Sequence, residues 1–273
     1  MPAAYRASIE EVHVLPLARR IGLRAAQAAR RPWIVGLCGP QGSGKSTLAA
    51  SLGHLLGAQG LRTAVLSLDD LYLTRAQRAD LARRVHPLLR ERGVPGTHDV
   101  ALGLELFAAL RRGDPVALPR FDKSRDERMP PEAWPRLPGA IDVLLFEGWC
   151  VGARPQPDVE LAVPLNAVER DEDPEGNWRR YVNATLAGDY QHLFAELDQL
   201  VLLRADGFEQ VLAWRVEQEH KLRARLLTSG ADLAATLDDA QLARFIQLFE
   251  RLTRHILDEM PARADELIEA RRA

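Results

Sequence analysis

GLCGPQGSGKSTLAASL, residues 36 to 52, joins the end of one apolar run to the start of a leucine-periodic one through a turn rich in glycine and serine. Upstream, WIVGLC (33–38) is short, apolar and partly β-branched, and the Gly/Pro/Ser cluster that bounds it predicts a buried parallel strand. Downstream, KSTLAASLGHLLGAQG places Leu48, Leu52, Leu55 and Leu56 on one face of a helix, with Gly60 as its stop. Strand, turn and helix therefore follow one another without a linker. Glycines at 39, 42 and 44 open backbone angles closed to other residues, so successive N–H groups can turn inward around an anion. The first turn of the helix adds its unpaired N–H donors and the positive end of its dipole.

The spacing G-x-x-x-x-G-K-[ST] is met over Gly39 to Ser46, in the strand-to-helix context that this motif requires. The residues expected to cradle the phosphates of ATP are Gly39, Pro40, Gln41, Gly42, Ser43, Gly44, Lys45, Ser46 and Thr47. Lys45 reaches the terminal phosphates as a catalytic point charge, and the Ser46 hydroxyl ligates Mg²⁺ between the β- and γ-phosphates. The chain has 33 Arg and only three Lys, at 45, 123 and 221. Where arginine is the default cation, a retained lysine marks a place that needs a compact ammonium.

Composition sets the outer bounds. With 273 residues, 47% of them hydrophobic, the chain can bury a sizeable core. A net charge of −2 gives no electrostatic footprint for nucleic acid or an anionic membrane, which leaves a small molecule as the expected partner. Cys38 and Cys150 show neither metal spacing nor a disulfide framework and read as small buried hydrophobes of a reducing compartment. No leader pattern and no run of about 20 apolar residues is present, so a cytoplasmic location is expected. Oligomeric state is not legible.

Outward from the opening stretch, residues 17 to 31 read as an Ala/Arg-rich helix ending at Pro32, part of an N-terminal helical extension over 1–31. RTAVLSLDD (62–70), AIDVLLFEG (140–148) and QLVLLRA (199–205) read as further strands. Helices are expected from Val100 and, as a lid over 206–230, from Phe208. Strands alternating with helices predict one α/β domain over 1–273: three α/β/α layers, a doubly wound, mostly parallel sheet of the P-loop NTPase type, and a helical lid. Residues 113–139 are too long for an idle connector and read as a substrate-side loop, while 171–180 reads as a mobile segment.

The second strand ends in LSLDDLYLT, and in a parallel sheet that end lies beside the phosphate loop. Asp69, Asp70 and Tyr72 would then project towards the γ-phosphate. A carboxylate there can take the proton of an attacking hydroxyl. A competing reading makes Asp70 a cap for the helix after residue 74. Glu147, after the apolar VLLF, has the placement of a carboxylate set beside a metal.

The order GxxxxGKS and then a strand ending in D-x-x-Y resembles the small-molecule kinases related to uridine kinase, phosphoribulokinase and pantothenate kinase. RGVPGTHDV (92–100), LPRFDKSRDER (118–128), LLFEGWCVG (144–152) and WRVEQEHKLR (214–223) resemble one branch, the ATP-dependent D-glycerate 3-kinases of plant and fungal type and their bacterial relatives. The resemblance runs from about residue 33 to 265. It implies Asp69 as catalytic base, Ser46, Asp69 and Glu147 around the metal, and His98 and Asp99 at the acceptor's hydroxyls. Asp99 also reads as an N-cap for the helix from Val100, and both roles are compatible.

For the carboxylate of a glycerate acceptor, Arg120 is the first candidate and Lys123 the second, with Asp122 beside them. Arg215, on the lid helix, is the candidate to neutralise the transferring phosphoryl group, ahead of Arg204 and Arg223. Two alternatives stay open. One is another small alcohol acceptor of pantothenate, nucleoside or sugar type, which the 6% aromatic content disfavours by arguing for a small polar pocket. The other is a regulatory P-loop ATPase; the absence of an N-K-x-D or T-K-x-D segment speaks against a GTPase.

Overall fold

The computed structural model describes residues 13–229 and 236–270. The first residues of the expected N-terminal extension, and position 230 of the expected lid, lie outside them. Helix α1 (Leu15–Gln27) leads to strand β1 (Trp33–Cys38), the phosphate loop, α2 (Lys45–Ala58) and β2 (Thr63–Ser67). Helices α3 (Arg75–Arg84) and α4 (Val100–Arg112) follow, then four two-residue strands: β3 (Val116–Ala117), β4 (Phe121–Asp122), β5 (Glu127–Arg128) and β6 (Arg136–Leu137). After β7 (Val143–Gly148) come α5 (Ala167–Asp171), α6 (Asn177–Ala187) and α7 (Asp189–Phe194). The chain closes with β8 (Gln199–Arg204), α8 (Phe208–Ser229), α9 (Asp239–Glu259) and β9 (Glu266–Glu269).

The main sheet has the order β2-β7-β1-β8-β9, and every neighbouring pair is parallel. Its centre is apolar on both faces, as helix-covered parallel strands must be. All six residues of β7 are buried, and so are Ile34, Val35, Leu37 and Cys38 of β1. Leu17, Ile21 and Ala25 of α1 and Leu48, Leu52 and Leu56 of α2 join this core, while Phe107 of α4 meets Phe146 of β7 edge to face at 5.2 Å. The register sets Leu37 and Ser67 on either side of Glu147. The phosphate loop after β1, the turn after β2 and the carboxylate on β7 thus emerge at one end of the sheet, the end where open α/β sheets bind ligands.

Several boundaries differ from the sequence expectation. Helix α1 stops at Gln27, short of Pro32, and the residues between bring Arg31 to Asp142 (2.6 Å) and Arg30 to Glu196 (3.4 Å). Strand β2 stops at Ser67, because Ser67 and Asp70 cap each other reciprocally and turn residues Leu68–Leu71 into a 3₁₀ turn. Residues 113–139 form two antiparallel ribbons, β3 with β6 and β4 with β5, around a buried Phe121. Segment 171–180, expected to be mobile, is anchored: Asp173 accepts the Trp178 and Arg179 N–H groups and pairs with the Arg179 guanidinium at 2.9 Å, both side chains buried. Strand β9 was not anticipated.

Both cysteines are buried as expected; burial pushes the Cys38 thiol up to about 12, so it stays protonated. Among the described residues no helix is long and apolar enough to cross a membrane.

Candidate active site

The phosphate loop is held by backbone geometry. Gly42 and Gly44 have φ of 84° and 88°, the left-handed region, and Gly44 is the N-cap of α2. A Cβ on Gly42 would lie 2.8 Å from Trp214 Cβ of α8, so this helix rests directly on the loop. Gln41, Gly42, Gly44, Lys45, Ser46 and Thr47 line a cleft of about 380 Å³. Gly39, Pro40 and Ser43 shape the loop from behind: the Ser43 N–H donates to the Pro40 carbonyl (3.2 Å), and Gly39 packs against Ser43 and Leu203.

Beside the loop, the Ser46 hydroxyl donates to Glu147 Oε1 at 3.0 Å. Glu147 is buried and its Oε2 has no partner. A buried carboxyl oxygen without a partner is costly, and a divalent cation next to Ser46 would satisfy it. Among the described residues no three His, Cys, Asp or Glu side chains are grouped to hold an ion. That donor set fits magnesium, which keeps waters and phosphate oxygens and takes few protein ligands.

Asp69 lines the same cleft. Its Oδ1 accepts from the Tyr72 hydroxyl (2.9 Å) and its Oδ2 from the Lys123 ammonium (2.6 Å). Burial pushes this carboxyl up, but Lys123 and then Lys45 outweigh it and bring it to about 2. Burial pushes the Tyr72 phenol well up, so it remains a donor. Tyr72 stacks on His98, with centroids 4.6 Å apart. The Tyr190 hydroxyl accepts from the Gly96 N–H (3.0 Å) and shares a hydrogen bond with His98 Nδ1 (2.6 Å). Burial brings His98 down to about 4, leaving a neutral ring whose Nε2 is buried and unpartnered.

His98 is buried behind Tyr72 and not on the cleft lining, and Asp70, Asp99, Arg120 and Asp122 are separated from it as well. Asp70 accepts from Arg120 (3.0 Å) and from the Phe121 N–H (3.1 Å), so Asp70 and Arg120 neutralise each other while fixing the turn to the ribbon. Asp99 caps α4 through the Leu102 N–H (3.1 Å) and pairs with Arg128 (3.1 Å). Asp122 closes the β4–β5 turn by accepting from the Ser124 N–H and hydroxyl and the Arg125 N–H. Of this segment only Lys123 lines the cleft. Arg215 lines it too, oriented by Glu219 at 3.0 Å. Arg204 faces Glu269 and Arg223 pairs with Asp239, neither on the lining.

Sequence reading missed Arg92, Trp149, Gln218, Phe245 and Phe249 on the lining, and Tyr190 behind His98. Arg92 opens RGVPGTHDV and was hidden by the abundance of arginine. Phe245 and Phe249 lie four apart on α9, a spacing that reads equally well as core. Tyr190 carried no sequence signal.

A parallel sheet, a glycine loop at a helix N-terminus, a lysine and a metal-ready Ser–Glu pair facing a second carboxylate define a P-loop phosphotransferase. The profile of the Phosphoribulokinase / Uridine kinase family matches residues 34–153. An uncharacterized kinase, mug58, of Schizosaccharomyces pombe is 39% identical over 74% of this chain and 75% of its own. The chloroplastic D-glycerate 3-kinase of Arabidopsis thaliana is 34% identical over 70% of this chain, a match that spans 42% of that longer protein. Among solved structures, D-glycerate 3-kinase from Cryptococcus neoformans superposes with a TM-score of 0.66 at 28% identity, covering 89% of this chain and 88% of that one. The chain belongs to the phosphoribulokinase/uridine kinase family and is an ATP-dependent phosphotransferase.

Proposed function

We propose that this kinase phosphorylates D-glycerate to 3-phosphoglycerate. The observation that carries the reading is Asp69: an ionised carboxylate, held by Tyr72 and Lys123, lining the same cleft as the phosphate loop. Glycerate itself is supported by the D-glycerate 3-kinases to which the chain is similar.

In this mechanism the loop N–H groups and Lys45 hold the phosphates of ATP. Ser46 and Glu147 would hold a magnesium ion, which supplies charge neutralisation on the transferred group when bound. Asp69 orients the attacking hydroxyl and takes its proton as the new O–P bond forms and the bond to ADP breaks. Arg215 stabilises the charge on the moving phosphoryl group and closes the cleft with α8. His98, kept neutral by burial, backs Tyr72, which holds Asp69.

One observation favours a second reading. Trp149, Phe245 and Phe249 concentrate on one wall of the cleft, so the low overall aromatic content does not describe the pocket. An acceptor with an apolar body, such as pantothenate or a nucleoside, fits that wall. ADP release from purified protein with ATP and Mg²⁺, measured across a panel of alcohols, separates the two. D-Glycerate should raise it far above basal hydrolysis, and Asp69→Asn should abolish the stimulation while retaining ATP binding. No stimulation by any hydroxylated acceptor would sink the kinase mechanism.

A further inference from the structure

We infer that Arg92 binds the acceptor's carboxylate, so that the enzyme selects acidic acceptors over neutral ones of the same shape. The inference rests on the glycerate reading and deepens it: an acid of this size needs a cation beside the base, and the structure limits which one is available.

Four cations line the cleft: Lys45, Arg92, Lys123 and Arg215. Lys45 belongs to the phosphate loop, Lys123 is bonded to Asp69, and Arg215 projects from the lid beside Glu219. Arg120, chosen from sequence, is neutralised by Asp70. Arg92 is left, and it stands on the acceptor side. Its guanidinium lies over the Phe121 ring (5.7 Å), the same ring that meets Tyr72 edge to face at 5.2 Å, and Tyr72 holds Asp69.

Its charge is not cancelled. Arg92 pairs with Asp126, but Asp126 also serves the buried Arg78 at 2.8 Å and has Arg75 at 3.9 Å. One carboxylate among three guanidinium groups leaves net positive charge where Arg92 meets the cleft. The donors are also preset. One terminal nitrogen points at Asp126 and the other approaches the Lys123 carbonyl at 3.5 Å, leaving N–H groups of the planar fork for a carboxylate.

The backbone beneath is rigid. The Gly93 N–H donates to Thr97 Oγ1 (3.1 Å), the Gly93 carbonyl accepts from Trp149 Nε1 (2.9 Å), and a Cβ on Gly93 would lie 2.5 Å from the Phe249 ring. Arg92 therefore sits at a fixed corner between the hairpin and the aromatic wall. A preset, partly desolvated guanidinium is how binding sites discriminate acid from amide.

Steady-state kinetics with D-glycerate and its neutral analogue D-glyceramide test this. In wild type, D-glycerate should be strongly preferred. Arg92→Gln should raise the KM for D-glycerate by about 30- to 300-fold, the loss of one or two charge-assisted hydrogen bonds. It should leave kcat and the KM for ATP little changed and level the two acceptors. Arg92→Lys, keeping charge without the fork, should fall between. Asp126→Asn removes the partner but not the guanidinium and should keep the acid preference.

An Arg92→Gln enzyme with unchanged KM and preference overturns the inference and leaves the glycerate reading standing. Equal wild-type use of both acceptors does the same. Loss of preference in Asp126→Asn as complete as in Arg92→Gln assigns the effect to hairpin shape and overturns it. No wild-type activity on D-glycerate overturns both.

Discussion

Burial alone would push the Asp69 carboxyl up, and the two ammonium groups near it reverse the sign. With its folded pKa at about 2, Asp69 is ionised above pH 4, and its own titration puts no acid limb on kcat/KM between pH 7 and 4. Removing Lys123 removes the largest lowering influence. In Lys123→Met the acid limb of kcat/KM for the acceptor should therefore move to higher pH, because burial then acts against Lys45 alone among the ammonium groups. A profile whose acid limb does not move would show that the 2.6 Å contact does not control the base. At this scale the sequence was legible where a residue type is scarce or its spacing is stereochemically demanding, as at Lys45 and Gly42. It was illegible where the type is common: Arg92 is one of 33 arginines, and its difference from Arg120 lies in which carboxylate each meets.

Among the elements, β1, α2 and β7 were readable because a short apolar strand flanked by glycine has few other folds. The turn after β2 was not, since it depends on a reciprocal Ser67–Asp70 cap that overrides β propensity. Strand β9 escaped notice because its alternation of exposed and half-buried residues over four positions is too short a signal. The contact between α8 and the phosphate loop is likewise a tertiary fact. It makes Gly42 doubly constrained, by a φ of 84° and by Trp214. Gly42→Ala should weaken ATP binding by about ten- to a hundredfold, as strain of about 1–3 kcal/mol displaces either the loop or the lid. Calorimetric titration with a non-hydrolysable ATP analogue checks this, and wild-type affinity would mean that lid and loop move independently.

Across the whole molecule, chemistry gathers at the carboxyl ends of the strands while the opposite end is clamped. Asp142, just before β7, accepts from Arg31 (2.6 Å) and from Arg62 (3.0 Å), joining the approaches to three neighbouring strands. Hydrogen bonding from Arg62 is the main reason its carboxyl is lowered to about 2. A group depressed in the folded state contributes stability above its unfolded pKa of about 4, and loses it as pH falls through its folded value. Asp142→Asn should therefore lower the melting temperature at pH 7, and the gap from wild type should narrow as pH falls from 5 towards 2. A gap independent of pH would assign the effect to shape alone.

The scarcity of lysine has a practical consequence for the intact enzyme. Of three primary side-chain amines, Lys45 and Lys123 face the cleft, and Lys221 is paired with Glu217 on the surface. An acylating reagent at low stoichiometry therefore meets only three side-chain amines, two of which face the cleft. Covalent labelling of this protein doubles as a footprint of its occupancy: bound nucleotide shields Lys45, bound acceptor changes the reactivity of Lys123, and Lys221 serves as the internal standard.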